Sequence, residues 1–253
     1  MTEPNVPNNN LAGRLYEILA KAWEVRKKDK VSDVFAEALE INSNNPGEVF
    51  QGLANLYNLV KDTRLAIERL QDINYELYLR PIQDIEQALG RSDFSSSDWR
   101  TFKQSLDPST FALLEVCADT LSRKAAEIAI DKEQLSELQN EVRQLLEKTV
   151  ESDLTDEIKS FIFEKLQSID QAIINYRYYG SAALQRTVEA SIGAALRYKE
   201  QLQEKPENPV LARFFEIISK ADLLVRLGVN TKQLLPEVFQ GVRRLLGSSN
   251  SGE

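Results

Sequence analysis

Apolar residues recur in steps of three and four along most of the chain, which is the spacing of one face of an α-helix. Apolar and polar residues do not alternate anywhere as they would in a half-buried strand. The pattern predicts an all-α protein, an elongated multi-helix bundle with long, coiled-coil-like helices. The apolar stripes of the main predicted helices begin at Leu11, Val31, Val49, Phe111, Leu135, Ile158 and Val210.

The longest stripe lies in the N-terminal part and keeps the rhythm of heptad repeats. Its members are Val49, Leu53, Leu56, Val60, Thr63, Ile67, Leu70, Asn74 and Leu77. This rhythm predicts one helix of about forty residues, which would be about 60 Å long at 1.5 Å per residue. Asn74 is expected on the seam, where a polar residue can fix register, and Pro81 is expected to kink the helix without ending it.

Cap and turn residues predict where helices begin. Asn45 followed by Pro46 indicates a helix start, because Asn caps the first turn and Pro fits within it. Asp131 with Gln134 resembles a capping box, which predicts a break between the stripes that begin at Phe111 and Leu135. One continuous helix also fits, because these two stripes are nearly in phase.

The C-terminal part shows further signals of the same kind. A helix is expected to begin after Asp153 as its cap and to end at Gly180. The stretch 181–198 is rich in small residues, which favours an inner helix that its neighbours approach closely. Gly228 is expected to end the next helix, and a last helix is predicted over 231–246.

A polar stretch that begins at Gly90 and is rich in Ser, Gly and Asp predicts a linker over 91–98. It would divide the chain into an N-terminal helical hairpin over 11–90 and a C-terminal helical bundle over 99–246. Residues 1–10 and 247–253 are expected to be disordered tails.

Composition excludes several kinds of chemistry. The 253 residues include no His and one Cys, which excludes Ser-His-Asp catalysis, His-ligated zinc and an intramolecular disulfide framework. The 10 Gly and 8 Pro are few for this length, in keeping with long helices and few turns. No apolar run is long enough to span a membrane and no signal-peptide pattern is present, so a cytoplasmic location is expected.

The net charge of −8 is concentrated in the middle of the chain. Residues 107–170 carry 15 acidic and 7 basic side chains, whereas residues 171–253 carry 8 and 11. An acidic surface disfavours nucleic acid and attracts a basic protein surface. The basic residues of the C-terminal part could contact RNA or an anionic surface, or could equally pair with this acidic segment, but a solvated face is the favoured interpretation. These residues are Arg213, Lys220, Arg226, Lys232, Arg243 and Arg244.

Little in the sequence is suited to catalysis. Asp153, Asp156 and Glu157 lie three and four positions apart at a predicted helix start, where they could hold Mg²⁺. The helix dipole alone also favours acidic residues there, so we predict no metal site and no cofactor. Cys117 lies among apolar residues and is expected to be a small core residue.

Residues typical of binding surfaces are more plentiful. Three tyrosines and an arginine occupy 176–179, and both residue types are enriched in binding hot spots. Because Tyr176 continues an apolar stripe, Arg177, Tyr178 and Tyr179 are the predicted contact residues. The alternative is that the tyrosines close one end of a bundle with their hydroxyls in water. Trp23 and Trp99 are expected to be core anchors first and partner contacts second.

Together these features predict a non-catalytic protein-binding or adaptor protein. The acidic helices over 131–170 would attract a basic partner, with Glu137, Glu141 and Glu147 as contact residues. A bacterial toxin-immunity or phage-defence accessory role suits such a surface. Two alternatives remain open: a Mg²⁺-dependent all-helical enzyme built on the acidic cluster, and a homo-oligomer that self-assembles through exposed heptad seams.

Overall fold

The computed structural model describes residues 6–26, 28–92, 97–107, 109–125, 127–203 and 207–228. These residues form eleven α-helices and no strand, so the predicted all-α bundle is confirmed. None of the described helices combines the length and apolar character that crossing a membrane requires. The helix predicted over 231–246 and the tail over 247–253 lie outside the described residues.

The chain folds into two compact units that divide between Glu127 and Ile128. Unit 1 contains α1 (Leu11–Glu24), α2 (Val31–Ala38), α3 (Pro46–Glu68), α4 (Tyr75–Arg91), α5 (Trp99–Gln104) and α6 (Thr110–Ala125). Unit 2 contains α7 (Lys132–Glu151), α8 (Asp156–Ile174), α9 (Tyr176–Arg197), α10 (Lys199–Gln203) and α11 (Pro209–Leu227).

The linker predicted over 91–98 does not separate the two units. Trp99 and Phe102, which follow it, pack on Phe35 of α2 with ring centroids 5.7 and 5.6 Å apart. The backbone N–H of Val31 also donates to the carbonyl of Ser97 at 3.1 Å. The helix after the polar segment therefore completes the core of the helices before it, so the polar composition did not mark a domain boundary.

The described end of the predicted N-terminal tail is ordered against unit 1. Asn10 caps α1 through its side-chain oxygen, and its Nδ2 donates to the carbonyl of Ala118 at 2.9 Å. The carbonyl of Asn9 accepts the N–H of Glu127 at 2.8 Å. Asn9 and Asn10 are therefore held by long-range hydrogen bonds that local composition does not reveal.

The long heptad stripe forms two helices and not one. α3 ends at Glu68, and Asp72 in the connection has a φ of 59°. Asn74 is the N-cap of α4, where its side chain accepts the N–H of Leu77 at 3.3 Å, so it fixes no coiled-coil register. α4 continues through Pro81 to Arg91, as predicted.

The two helices pack against each other, and Arg64 of α3 donates from Nε to Glu86 of α4 at 2.9 Å. The stripe packs in the interior of unit 1, where its buried members are Leu53, Leu56, Val60, Thr63 and Ile67. This part of the seam is therefore not exposed for the self-assembly that the sequence suggested.

Aromatic rings form one part of the unit 1 core. Trp99 is stacked on Phe102 at 5.1 Å, and Trp23 meets Trp99 and Phe111 edge to face at 5.7 and 5.0 Å. The ammonium of Lys103 lies 5.5 Å from the centroid of each indole ring. Trp99 is buried, so its predicted role as a core anchor is confirmed.

In unit 2, α8 packs against α7 and α9, and α11 packs against the same two helices. The open question about the stripes at 111–149 is settled, because α6 ends at Ala125 and α7 begins at Lys132. Asp131 is the N-cap residue of α7 but makes no capping hydrogen bond through its side chain. The predicted break is therefore confirmed, whereas the capping box is not.

The ends of α8 and α9 differ from the prediction. The N-cap of α8 is Thr155 and not Asp153. The hydroxyl oxygen of Thr155 accepts a hydrogen bond from the backbone N–H of Ile158 at 3.4 Å. Asn175 separates α8 from α9, so α8 ends earlier than predicted. Gly180, the predicted helix end, has a non-helical backbone with φ 60° and ψ −156° that divides α9 into two helical pieces, so an interruption at this glycine is confirmed. Gly228 ends α11 in the left-handed conformation, as predicted.

Candidate functional site

The acidic and basic segments of unit 2 meet between α7 and α11. α11 is apolar on most sides, and Lys220 lies on the side that faces α7, with only 8% of its side chain exposed. Its ammonium donates to Glu141 at 2.8 Å and lies 3.6 Å from Glu137. Arg213 lies 3.4 Å from the second carboxylate oxygen of Glu141.

These ion pairs confirm one of the alternatives that the sequence left open. Arg213 and Lys220 pair with the acidic segment of their own chain, so Glu137 and Glu141 have part of their charge offset within unit 2. Arg226 pairs with Asp222 of its own helix at 2.9 Å. Lys232, Arg243 and Arg244 lie outside the described residues.

A second group of acidic residues lies at the C-terminal end of α7 and the start of α8. We call this group the acidic end; its members are Glu147, Glu151, Asp153, Asp156 and Glu157. All five are exposed, and Val150 among them has 66% of its surface exposed. Within the described residues, Glu147, Glu151, Asp156 and Glu157 make no ion pair.

The acidic end does not assemble into a metal site. One carboxylate oxygen of Asp153 accepts a hydrogen bond from Nδ2 of Asn208 at 2.7 Å. Asp156 and Glu157 occupy the first turn of α8, where the helix dipole favours negative charge. Among the described residues, no three Asp, Glu or Cys side chains are grouped closely enough to hold a metal ion.

The tyrosine segment is arranged differently from the prediction. Tyr178 is only 3% exposed, and burial raises the pKa of its hydroxyl to about 12. It therefore belongs to the interior, and the prediction that it is a contact residue is wrong. Arg177 is exposed and Tyr179 is half-buried.

The break between α8 and α9 explains this difference. The predicted orientation extended the helical phase of α8 as far as Tyr178, but α8 ends at Ile174 and the backbone departs from the helix at Gly180, so the short turn that carries Tyr178 does not continue the face of α8. Tyr176 is half-buried, and its hydroxyl accepts the N–H of Ile130 at 2.8 Å. Its predicted place on the core side is thus retained, while Tyr178 turns inward as well.

An open groove with a volume of about 660 Å³ lies between α8 and α9. On the α8 side its charged and amide-bearing residues are Glu164, Lys165, Gln167, Gln171 and Asn175. On the α9 side the lining residues are Tyr179, Ala183, Arg186, Thr187, Ala190 and Ser191. The stretch 181–198 therefore packs on α8 and α11 as an inner helix would, but several of its small residues face this groove.

Sequence reasoning missed this groove, although two signals were present. Small residues and amides recur at helical spacing on the two neighbouring helices, as at Ala183 and Ala190 on one side and Gln167 and Gln171 on the other. Neither signal reveals that the two rows face each other, which depends on how α8 packs against α9.

Cys117 is the expected small core residue. Its Sγ lies 3.4 Å from the carbonyl oxygen of Tyr78, and burial raises the pKa of the thiol to about 12. A thiol with this pKa is not a thiolate near neutral pH and is a poor nucleophile.

No protein-family model, curated protein or solved structure matches this chain.

Proposed function

We propose that this protein acts by binding another protein, without catalysis, as an adaptor or neutralising partner. The acidic end of unit 2 supports this proposal, because it combines exposed carboxylates with the exposed side chain of Val150. Charge of one sign steers a partner of the opposite sign, and an apolar contact within the charged surface adds affinity once the partner arrives. The proposed partner therefore carries a basic surface.

The pairing inside unit 2 refines which acidic residues attract this partner. Glu137 and Glu141 already offset Lys220, so a basic partner gains less from them than from carboxylates that make no ion pair. The ammonium of Lys159, held at the acidic end, donates to the carbonyl of Val150 at 3.1 Å and to no carboxylate in the part of the chain that the structure describes. Glu147, Glu151 and Glu157 make no ion pair within the described residues. Asp156 makes none there either. We therefore assign the attraction to these four residues, of which Glu147 was predicted from the sequence.

The proposed setting follows from the same chemistry. A protein that neutralises a toxin by covering a cationic surface needs exposed acidic residues that its own cations do not offset. A toxin-immunity or phage-defence accessory role in the cytoplasm is consistent with such a surface. We propose that the protein acts in such a setting.

Affinity co-purification from the source cell tests the proposal. We expect the wild-type chain to retain one or more basic proteins, and the variant Glu147→Lys/Glu151→Lys/Glu157→Lys to lose them. The matched control reverses three exposed carboxylates of unit 1, as Glu24→Lys/Glu37→Lys/Glu76→Lys, which changes the net charge equally. Retention of the same proteins by all three chains, with unchanged circular dichroism, would contradict the proposal.

A further inference from the structure

The groove between α8 and α9 is an open recess on one face of unit 2. The two helices follow one another through Asn175 and pack side by side, so they run in opposite directions. Gly180 allows this arrangement, because its backbone (φ 60°, ψ −156°) is one that only glycine adopts without strain. The kink turns the part of α9 that follows Gly180 back along α8, and the groove extends from there along both helices.

The charges that line the groove leave an excess of positive charge. Lys165 donates to Glu164 at 2.6 Å, and this hydrogen bond lowers the pKa of the Glu164 carboxyl. The positive charge of Arg197 acts on the same carboxyl. Arg186 makes no ion pair within the part of the chain that the structure describes. A ligand that offers a carboxylate to Arg186 would form charge-assisted hydrogen bonds with its guanidinium.

The rest of the lining suits a polypeptide backbone. Gln167, Gln171 and Asn175 carry amides that can both donate and accept, as the peptide group does. Ala183 and Ala190 are short, so a ligand can approach the surface of α9 closely. The length from Glu164 to Asn175 is about 16 Å at 1.5 Å per residue. It accommodates about five residues of extended chain at about 3.3 Å each.

We propose that this groove binds a short, extended acidic segment of a partner protein, with one carboxylate of that segment on Arg186 and its backbone along the amides of α8. The inference deepens the proposed function, since it adds a second contact in unit 2 with the opposite charge preference. The acidic end attracts basic side chains of the partner, whereas the groove binds an acidic segment of the same partner.

Selection from a phage-displayed library of short random peptides on the immobilised full chain tests the groove. We expect the wild-type chain to enrich peptides that contain Asp or Glu. A labelled copy of the most enriched peptide should then bind Arg186→Glu at least about tenfold more weakly than the wild type, because a charge-assisted hydrogen bond is lost. Ala190→Trp, which fills the groove without changing its charge, should weaken binding to a similar extent.

The matched control is Arg226→Glu, which reverses an exposed arginine of unit 2 outside the groove lining. It should change the affinity less than twofold, because an exposed charge that does not line the groove contributes little to binding there. Absence of enrichment, enrichment without acidic residues, or equal binding by the wild type and Arg186→Glu would overturn the inference. An acidic peptide has no attraction to the acidic end, so these outcomes leave the co-purification result for the acidic end unaffected.

Discussion

Replacing Glu141 by Gln should destabilise unit 2, because it removes the nearest negative charge from a buried lysine. Lys220 has 8% of its side chain exposed and Glu141 has 25%, while Glu137, the second carboxylate near the ammonium, has 59% exposed. Breaking a fully buried ion pair costs about 3–5 kcal/mol, and a surface pair contributes about 0–1 kcal/mol. The Lys220–Glu141 pair lies between these limits and Glu137 remains, so we expect a loss of about 1–3 kcal/mol.

Urea unfolding followed by far-UV circular dichroism measures this loss. Hydrogen exchange read by mass spectrometry locates it, since amides of α7 and α11 should exchange faster in Glu141→Gln. The control is Glu147→Gln, which neutralises an exposed carboxylate of the same helix and should change stability by less than about 0.5 kcal/mol. Lys220→Met keeps a long apolar stem, so Glu141→Gln should cost little in its background.

The interpretation would be refuted if Glu141→Gln and Glu147→Gln unfolded at the same urea concentration as the wild type. It would also be refuted if Glu141→Gln cost the same in the presence and absence of Lys220. Either result would mean that the contact between α7 and α11 owes nothing to this ion pair.

Two further predictions concern the backbone of α9 and the buried thiol. Gly180→Ala should lower the stability of unit 2 by about 1–3 kcal/mol, because the backbone there has a positive φ. Gly193→Ala should raise the stability by about 0.5–1 kcal/mol, because an added Cβ at this position meets no atom within 4 Å. Equal thermal unfolding of the two variants would contradict the kink at Gly180. Cys117 should react with Ellman's reagent only after unfolding. Burial raises its pKa from 9.0 to about 12, so its contribution to stability is complete below pH 9 and is lost as pH rises towards 12. Urea titrations should therefore show an alkaline decline, with a slope of up to about 1.4 kcal/mol per pH unit, that Cys117→Ala reduces.

Local signals predicted much of the fold. The apolar stripe from Leu11 gave the correct start of α1, and the Asn45–Pro46 pair gave the start of α3. Gly228 correctly marked the end of α11, and its backbone is left-handed there. These features succeed because a cap or a helical face is decided by residues within one or two turns.

The end of α3 could not be found in the same way. The stripe continues in phase through Leu70, Asn74 and Leu77, so its periodicity contains no sign of the turn between them. The turn is stabilised by the packing of α4 on α3. Asp72 within it has a φ of 59°, a conformation that residue type alone does not predict. Tertiary packing therefore overrode a local pattern that was correct on each side of the break.

The candidate site shows the same limit. The sequence predicted that basic C-terminal residues could pair with the acidic segment, but not that Lys220 would be the buried one. Tyr178 was assigned to the surface because the helical phase of α8 was extended across Asn175. The end of a helix is invisible to periodicity, so a face extended across Asn175 placed Tyr176 correctly and Tyr178 wrongly.

The rate at which the basic protein recovered by co-purification associates with the chain, measured over a range of salt concentrations, tests most directly whether the acidic end attracts a partner. We expect Glu147→Lys/Glu151→Lys/Glu157→Lys to associate about tenfold or more slowly at low salt and with a weaker dependence on salt, because steering by charge is lost. The control Glu24→Lys/Glu37→Lys/Glu76→Lys should retain most of the wild-type rate. Equal rates and equal salt dependence for the wild type and the acidic-end variant would show that these carboxylates do not guide binding.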